Sequence, residues 1–388
     1  MPGRIVLYGA TGYTGALTAQ ALLAAGARPV LAGRDRSRLA ALAARLAPAS
    51  GGAQLETAVA AAEPGPLRDL IGAGDVLVSA AGPFLAAGRP AVAAAADAGA
   101  IYLDCSGEPP FIRQVFEEFG PRAERAGAVL LTAFGYDYVP GNLAGALALD
   151  AAGPAATRVR VGYFARGTAG KRRQEASAGT RASAAGVMLE PGYAFRGGLL
   201  VSERVAAHVR SFEVDGQRKR AFSIGSSEHF GLPRLRPPAA GPGGGSYRPG
   251  PTPAPLTEVG VYLGSAGRAT RLVHYGAVLA RPAGRVPGAR RALGALARRI
   301  QHSRAGPAGP AAIRTDVIAV ASDAGGRDLA AVHLAGGDPY SFTALILAWA
   351  AGRAAAGGVG PAGALGPAEA FGTSDLADAC ARAGLHRR

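Results

Sequence analysis

The 388-residue chain has almost no cysteine, only Cys105 and Cys380. Two thiols give neither a disulfide framework nor a sulfur-rich metal site. Histidine is scarce as well. His208, His229, His274, His302, His333 and His386 show no ligand spacing, so no metal is expected. Long hydrophobic runs are missing too. The longest apolar stretch, Phe342 to Ala351, falls well short of the roughly 20 residues a membrane helix needs, so no integral membrane span is expected. Strand character begins near Arg4, no N-terminal signal is visible, and a cytoplasmic location is the default. Lysine is nearly absent: Lys171 and Lys219 are the only ones among 42 basic residues, which face 27 acidic ones for a net charge of +15. No nucleic-acid motif accompanies the arginines. Most are read as solvated surface, and no nucleic-acid partner is expected.

What is present is a globular composition, 49% hydrophobic and 18% charged, on a chain long enough for two domains. The N-terminal third alternates apolar runs with Ala/Leu-rich segments. Strands are predicted at Ile5 to Tyr8, Pro29 to Ala32, Gln54 to Val59, Asp75 to Ser79, Ala100 to Asp104 and Ala128 to Thr132. Helices are predicted at Ala16 to Ala25, Ser37 to Leu46, Arg89 to Ala98 and Pro110 to Ala126. Such alternation predicts an α/β fold with a parallel, doubly wound sheet.

Between the first strand and first helix lies Gly9-Ala10-Thr11-Gly12-Tyr13-Thr14-Gly15. Glycines there let the backbone approach a pyrophosphate, and the helix N-terminus offers free N–H groups and the positive end of its dipole. The Gly-x-x-Gly-x-x-Gly spacing is weak evidence alone; at the head of six repeating units it predicts a Rossmann dinucleotide site. Gly9, Thr11, Gly12, Tyr13, Thr14 and Gly15 are the expected cofactor contacts. Beyond the second strand the sequence reads Gly33-Arg34-Asp35-Arg36. Arg34 occupies the place where an arginine accommodates a 2′-phosphate, which favours NADP(H); Asp35 would serve an NAD ribose if the strand ended one residue later. Ser79, Ala80, Ala81, Gly82 and Pro83 follow the fourth strand, where the cofactor is expected to cross the sheet.

Several segments resemble the saccharopine dehydrogenase-like oxidoreductases, including the branch called trans-acting enoyl reductases. They are Gly9 to Gly15, Gly82-Pro83-Phe84 with Gly88, Tyr102-Leu103-Asp104-Cys105-Ser106-Gly107-Glu108, and Gly135-Tyr136-Asp137-Tyr138-Val139-Pro140-Gly141. Ser177 to Thr180, Gly337 to Tyr340 and Gly363 to Pro367 are similar to later family segments. The resemblance implies a Rossmann domain over 1–134, a substrate or dimerisation α+β domain over 135–336, and a C-terminal helical segment, 337–388, packing back on the first. It implies NAD(P)-dependent reduction of C=C or C=N in a lipid-, polyketide- or amino-acid-derived substrate, small or carrier-bound, and is compatible with a homodimer.

From Thr157 the pattern shifts to exposed strands, at Thr157 to Phe164, within Val201 to Phe222, and at Ile313 to Val320 and Leu329 to Leu334. A mixed or antiparallel second sheet follows. The Pro/Gly-rich stretch Leu232 to Leu256 reads as a loop, Val286 to Gln301 as a basic amphipathic helix, and Tyr340 to Ala356 as an apolar core or interface helix.

Hydride transfer needs few side chains beyond a proton donor. Glu108 follows the fifth strand, and Tyr136 and Asp137 follow the sixth, all on the ligand side. Tyr136 is the first choice as donor, with Asp137 and Glu108 as the other candidates; for Asp104 and Asp137 a loop or helix cap is the stronger reading than direct catalysis. Cys105 lacks a nearby histidine base and reads as a small buried residue rather than a nucleophile. Two other readings stay open: a catalytically silent dinucleotide sensor or scaffold, and a membrane-surface protein using the basic helix.

Overall fold

The computed structural model describes residues 2–167, 192–236, 253–264 and 313–388. Among the described residues the first sheet has seven strands, six of them in the expected places: β1 (Ile5–Tyr8), β2 (Val30–Gly33), β3 (Thr57–Val59), β4 (Val76–Ser79), β5 (Ile101–Asp104) and β6 (Val129–Leu131). Most of these runs are buried on both faces, as a covered parallel sheet demands. β1 pairs in parallel with both β2 and β4. The strand order therefore reverses at β1/β4, the crevice where doubly wound sheets take their ligands.

Among the described residues the second sheet has nine strands: β7 (Arg158–Gly167), β8 (Gly192–Arg196), β9 (Leu199–Glu203), β10 (Val209–Val214), β11 (Gln217–Ser223), β12 (Glu258–Gly264), β13 (Ile313–Ser322), β14 (Asp328–Gly336) and, from the chain end, β16 (Leu385–Arg387). β7 pairs with β12 in parallel and with β13 antiparallel, so the sheet is mixed. The almost wholly buried helix Val139–Ala152 leads from the first sheet and packs on β7, β13 and β14. The helix Pro339–Ala355 returns from β14 to lie on the helix Tyr13–Ala24 and touches β4 and β5.

Several details differ from the sequence reading. The first helix starts at Tyr13, so Gly12 is its N-cap. The stretch from Pro109 to Ala126 is interrupted by a π-helical turn, Val115–Phe119, just before Pro121, which has no N–H for the helical ladder. A two-residue strand, β15 (Gly363–Ala364), adds itself beside β6, and only that distant pairing defines it. Ser177 to Thr180, the Val286 to Gln301 helix and most of the Pro/Gly-rich loop lie outside the described residues. Among those described, no helix is long and apolar enough to cross a membrane.

Candidate functional site

The glycine loop is packed so closely that side chains are excluded. Gly9 has φ +79°, and a Cβ on it would stand 2.8 Å from the Ala81 nitrogen. A Cβ on Gly15 would stand 2.3 Å from the Gly9 carbonyl oxygen. Helix Tyr13–Ala24 is thereby seated on the end of β1, and the loop on Ala80 and Ala81 beyond β4. Gly12 caps that helix with no side chain, leaving the first-turn N–H groups without a capping acceptor. This cradle fits a dinucleotide pyrophosphate.

Beyond β2, Arg34 is exposed. Asp35 is turned onto its own helix: its carboxylate accepts the Arg38 backbone N–H at 3.1 Å and the Ser37 hydroxyl at 2.7 Å, which hold its pKa below the usual carboxylate range. Arg38 reaches from that helix to the Thr11 carbonyl at 3.2 Å, so a second arginine borders the glycine loop. The return helix closes the other side, where Tyr340 meets Tyr13 edge-on at 5.1 Å.

Past the buried Ser79, the Gly82–Pro83 bond is cis, and the chain turns into the short helix Phe84–Ala87. Glu108 fixes this turn: its two carboxylate oxygens accept the Phe84 and Leu85 N–H groups at 2.8 and 2.9 Å. It is 3% exposed. An acid so engaged is a helix anchor, not the accessible proton donor the sequence suggested.

The segment 135–141 is gripped from several sides. Tyr136 N–H donates to Thr343 Oγ1 at 3.0 Å, and the Tyr136 ring meets Phe342 edge-on at 5.9 Å. The Tyr136 hydroxyl is buried with no hydrogen bond, beside Thr315, and burial pushes its pKa above the ordinary phenol value. The first-choice donor therefore points away from solvent. Asp137 is the reverse: its residue is exposed, yet protein atoms crowd its carboxyl, and burial raises it to about 6. A Cβ on Gly107 would come 2.8 Å from Asp137 Oδ2, so the glycine before Glu108 makes room for this acid.

Behind Asp137 stands a group that sequence reasoning missed. The Tyr163 hydroxyl donates to Glu228 Oε1 at 2.6 Å and accepts the Gly141 N–H at 2.8 Å. Asn142 Nδ2 donates to the Tyr138 carbonyl and to Ser227 Oγ, each at 3.0 Å. Glu228 is fully buried, and desolvation pushes it to about 7. The only advance signal was Gly141, where a Cβ would fall 2.1 Å from Glu228 Oε1.

Asp104 is a strand tie: its Oδ1 accepts the Ser106 and Ala133 N–H groups at 2.8 and 2.9 Å. Burial and the neighbouring carboxylates push the Cys105 thiol up to about 12, which leaves it without thiolate character. Asp215, Asp316 and His333 lie close enough to share an ion, but Arg388 and Arg314 already pair the two acids.

Residues 5–131 match the family described as the saccharopine dehydrogenase NADP binding domain. Over 141 residues the chain is 40% identical to a trans-acting enoyl reductase of Mycobacterium leprae and 38% identical to one of Mycobacterium ulcerans. Each match covers 36% of this chain and 34% of the relative, so the likeness spans about a third of those proteins. Among solved structures, an amine dehydrogenase from Mycobacterium smegmatis aligns over 94% of both chains at 14% identity and TM-score 0.42, too loose a likeness to bear on activity. By its sequence and its parallel sheet, the N-terminal third of this chain is similar to the saccharopine dehydrogenase NADP-binding domain family.

Proposed function

We propose that the chain is an NADPH-dependent reductase acting on an activated double bond, C=C conjugated to a carbonyl or C=N, in a small-molecule or carrier-bound substrate. The observation that carries this is Asp137: a solvent-reached acid at about 6, on the same edge of the parallel sheet as a glycine cradle built for a pyrophosphate.

Gly9, Thr11, Gly12, Tyr13, Thr14 and Gly15 would hold the pyrophosphate, Arg34 the 2′-phosphate, and Ser79 to Pro83 the nicotinamide side. When bound, the cofactor supplies a hydride. Asp137 donates the proton that completes reduction. Tyr136 acts as a wall of the cleft, and Glu108 holds the turn beside the nicotinamide. The 1–134, 135–336 and 337–388 divisions belong to the same reading, with the last segment closing over the glycine loop through Tyr340.

The test is NADPH oxidation by the full chain against a panel of enones and cyclic imines. A donating carboxylic acid must be protonated, so turnover should fall as pH rises through about 6. Asp137→Asn should lower turnover about a hundredfold while NADPH binding persists. NADPH binding with no turnover on any acceptor would favour a silent sensor or scaffold instead.

A further inference from the structure

The reductase reading requires the loop carrying Asp137 to stand at a set distance from the glycine loop, and the first turn of the helix Pro339–Ala355 touches both. On one side Tyr340 meets Tyr13 edge-on, with ring centres 5.1 Å apart. On the other, Thr343 Oγ1 accepts the Tyr136 N–H at 3.0 Å, one residue before Asp137. Phe342 adds its edge-on contact with the Tyr136 ring at 5.9 Å. The turn itself is rooted. The Thr315 hydroxyl on β13 donates to the Gly337 carbonyl at 3.3 Å, and the Asp338 carboxylate accepts the Ser341 N–H and hydroxyl, each at 2.8 Å.

Thr343 is buried, and each part of its side chain is used. A hydroxyl has one hydrogen and two lone pairs. Here the hydrogen goes to the Pro339 carbonyl at 2.8 Å, which leaves a lone pair for the Tyr136 N–H. The methyl lies against Gly135, where a Cβ would come 3.0 Å from Thr343 Cγ2 and 3.1 Å from Oγ1. Valine at 343 would keep the shape and lose the acceptor. Serine would keep the acceptor and lose only the methyl. The Tyr138 N–H to the Ala133 carbonyl, at 2.8 Å, and the Val139 N–H to the Gly135 carbonyl, at 3.0 Å, close the loop on itself. The Thr343 bond ties it to the return helix.

We propose that Thr343 is a positioning residue for Asp137: through the Tyr136 N–H it holds the loop 135–141 against the return helix, while Tyr340 holds that helix against the glycine loop, so that the acid stands at a fixed reach from a bound dinucleotide. This rests on the reductase reading for its use, though not for its physical test. Thr343 acts through the loop, not on the reacting atoms. In the reaction, hydride forms the new C–H bond, the π pair takes the proton of Asp137, and solvent restores that proton. A displaced acid slows the proton step, because transfer depends on aligned, close-set groups. The hold on NADPH, which lies with the glycine loop and Arg34, is untouched.

The test is amide hydrogen exchange of the full chain, read at the Tyr136 amide without cofactor or substrate, together with steady-state turnover. Thr343→Val should speed exchange at Tyr136 about tenfold and leave the helix Tyr13–Ala24 unchanged, while Thr343→Ser stays near the wild type. Gly135→Ala presses a methyl on Thr343 from the other side. It should speed the same amide, and by less when Thr343→Ser removes the facing methyl. In turnover, Thr343→Val should lower kcat about tenfold with KM for NADPH unchanged, and Thr343→Ser should keep most of the wild-type rate. A general loss of structure would instead move both segments and both constants. Exchange at Tyr136 unmoved by Thr343→Val, or an active enzyme with equal kcat in the wild type and Thr343→Val, would overturn the proposal. Faster exchange in a protein that reduces no acceptor would keep Thr343's hold on the loop and sink the reductase reading alone.

Discussion

The glycine loop and the segment 135–141 each follow a strand of the same parallel sheet, at the same edge, yet they are held differently. The loop is fixed by backbone: Gly9 against Ala81, Gly15 against Gly9, and Gly12 as a bare cap. The second segment is fixed by side chains from afar: Thr343 on the return helix, Tyr163 on β7, and Ser227 and Glu228 at the head of another helix. Backbone packing suits a cofactor site, which must match one unvarying pyrophosphate. A proton-donating site must set a pKa, and that takes side chains drawn from several elements, here the return helix, β7 and the head of helix Glu228–Arg234.

Two substitutions separate the modes of support most sharply. Gly141→Ala forces a methyl onto Glu228 Oε1 and the Tyr163 hydroxyl, at 2.1 and 2.2 Å. It should destabilise the protein by about 3 kcal/mol in denaturant unfolding, and by less in a Glu228→Ala background. Gly9→Ala, strained by its φ of +79° and by Ala81, should instead abolish NADPH binding in an otherwise folded protein. Equal losses of stability and binding in both would erase the distinction.

Glu108 belongs to the backbone-holding mode, although it is a carboxylate. Glu108→Gln can accept only one of the two N–H groups with its oxygen, and should cost about 1–2 kcal/mol of stability, with a modest rise in KM for NADPH. A collapse of kcat with stability intact would restore Glu108 as an acid. The smallest effect is expected for Tyr136→Phe. Its hydroxyl is buried and makes no hydrogen bond, so turnover should change less than about twofold; a large loss would return the donor's role to it.

The same contrast explains how much could be read from sequence. The six alternating strands, the glycine turn after the first of them and the mixed second sheet follow from local periodicity and short motifs, and all stand in the structure. Asp35 needed the cap geometry before its role was plain, because N-cap and ribose ligand differ by one residue of strand length. Glu108 and Tyr136 sit on the expected edge of the sheet but are turned inward, and the direction of a side chain is set by packing, not by spacing. Tyr163 and Glu228 lie 22 and 87 positions beyond Gly141 in the chain, in segments with no motif of their own. β15 is two residues long and exists only through its pairing with β6.

The account stands first on the cofactor site, and titration of the purified chain with NADPH and with NADH, followed by nicotinamide fluorescence, tests it most directly. The account predicts tighter binding of NADPH, with Arg34→Ala weakening NADPH about tenfold and leaving NADH unchanged. Preference for NADH, or binding untouched by Arg34→Ala, would contradict it.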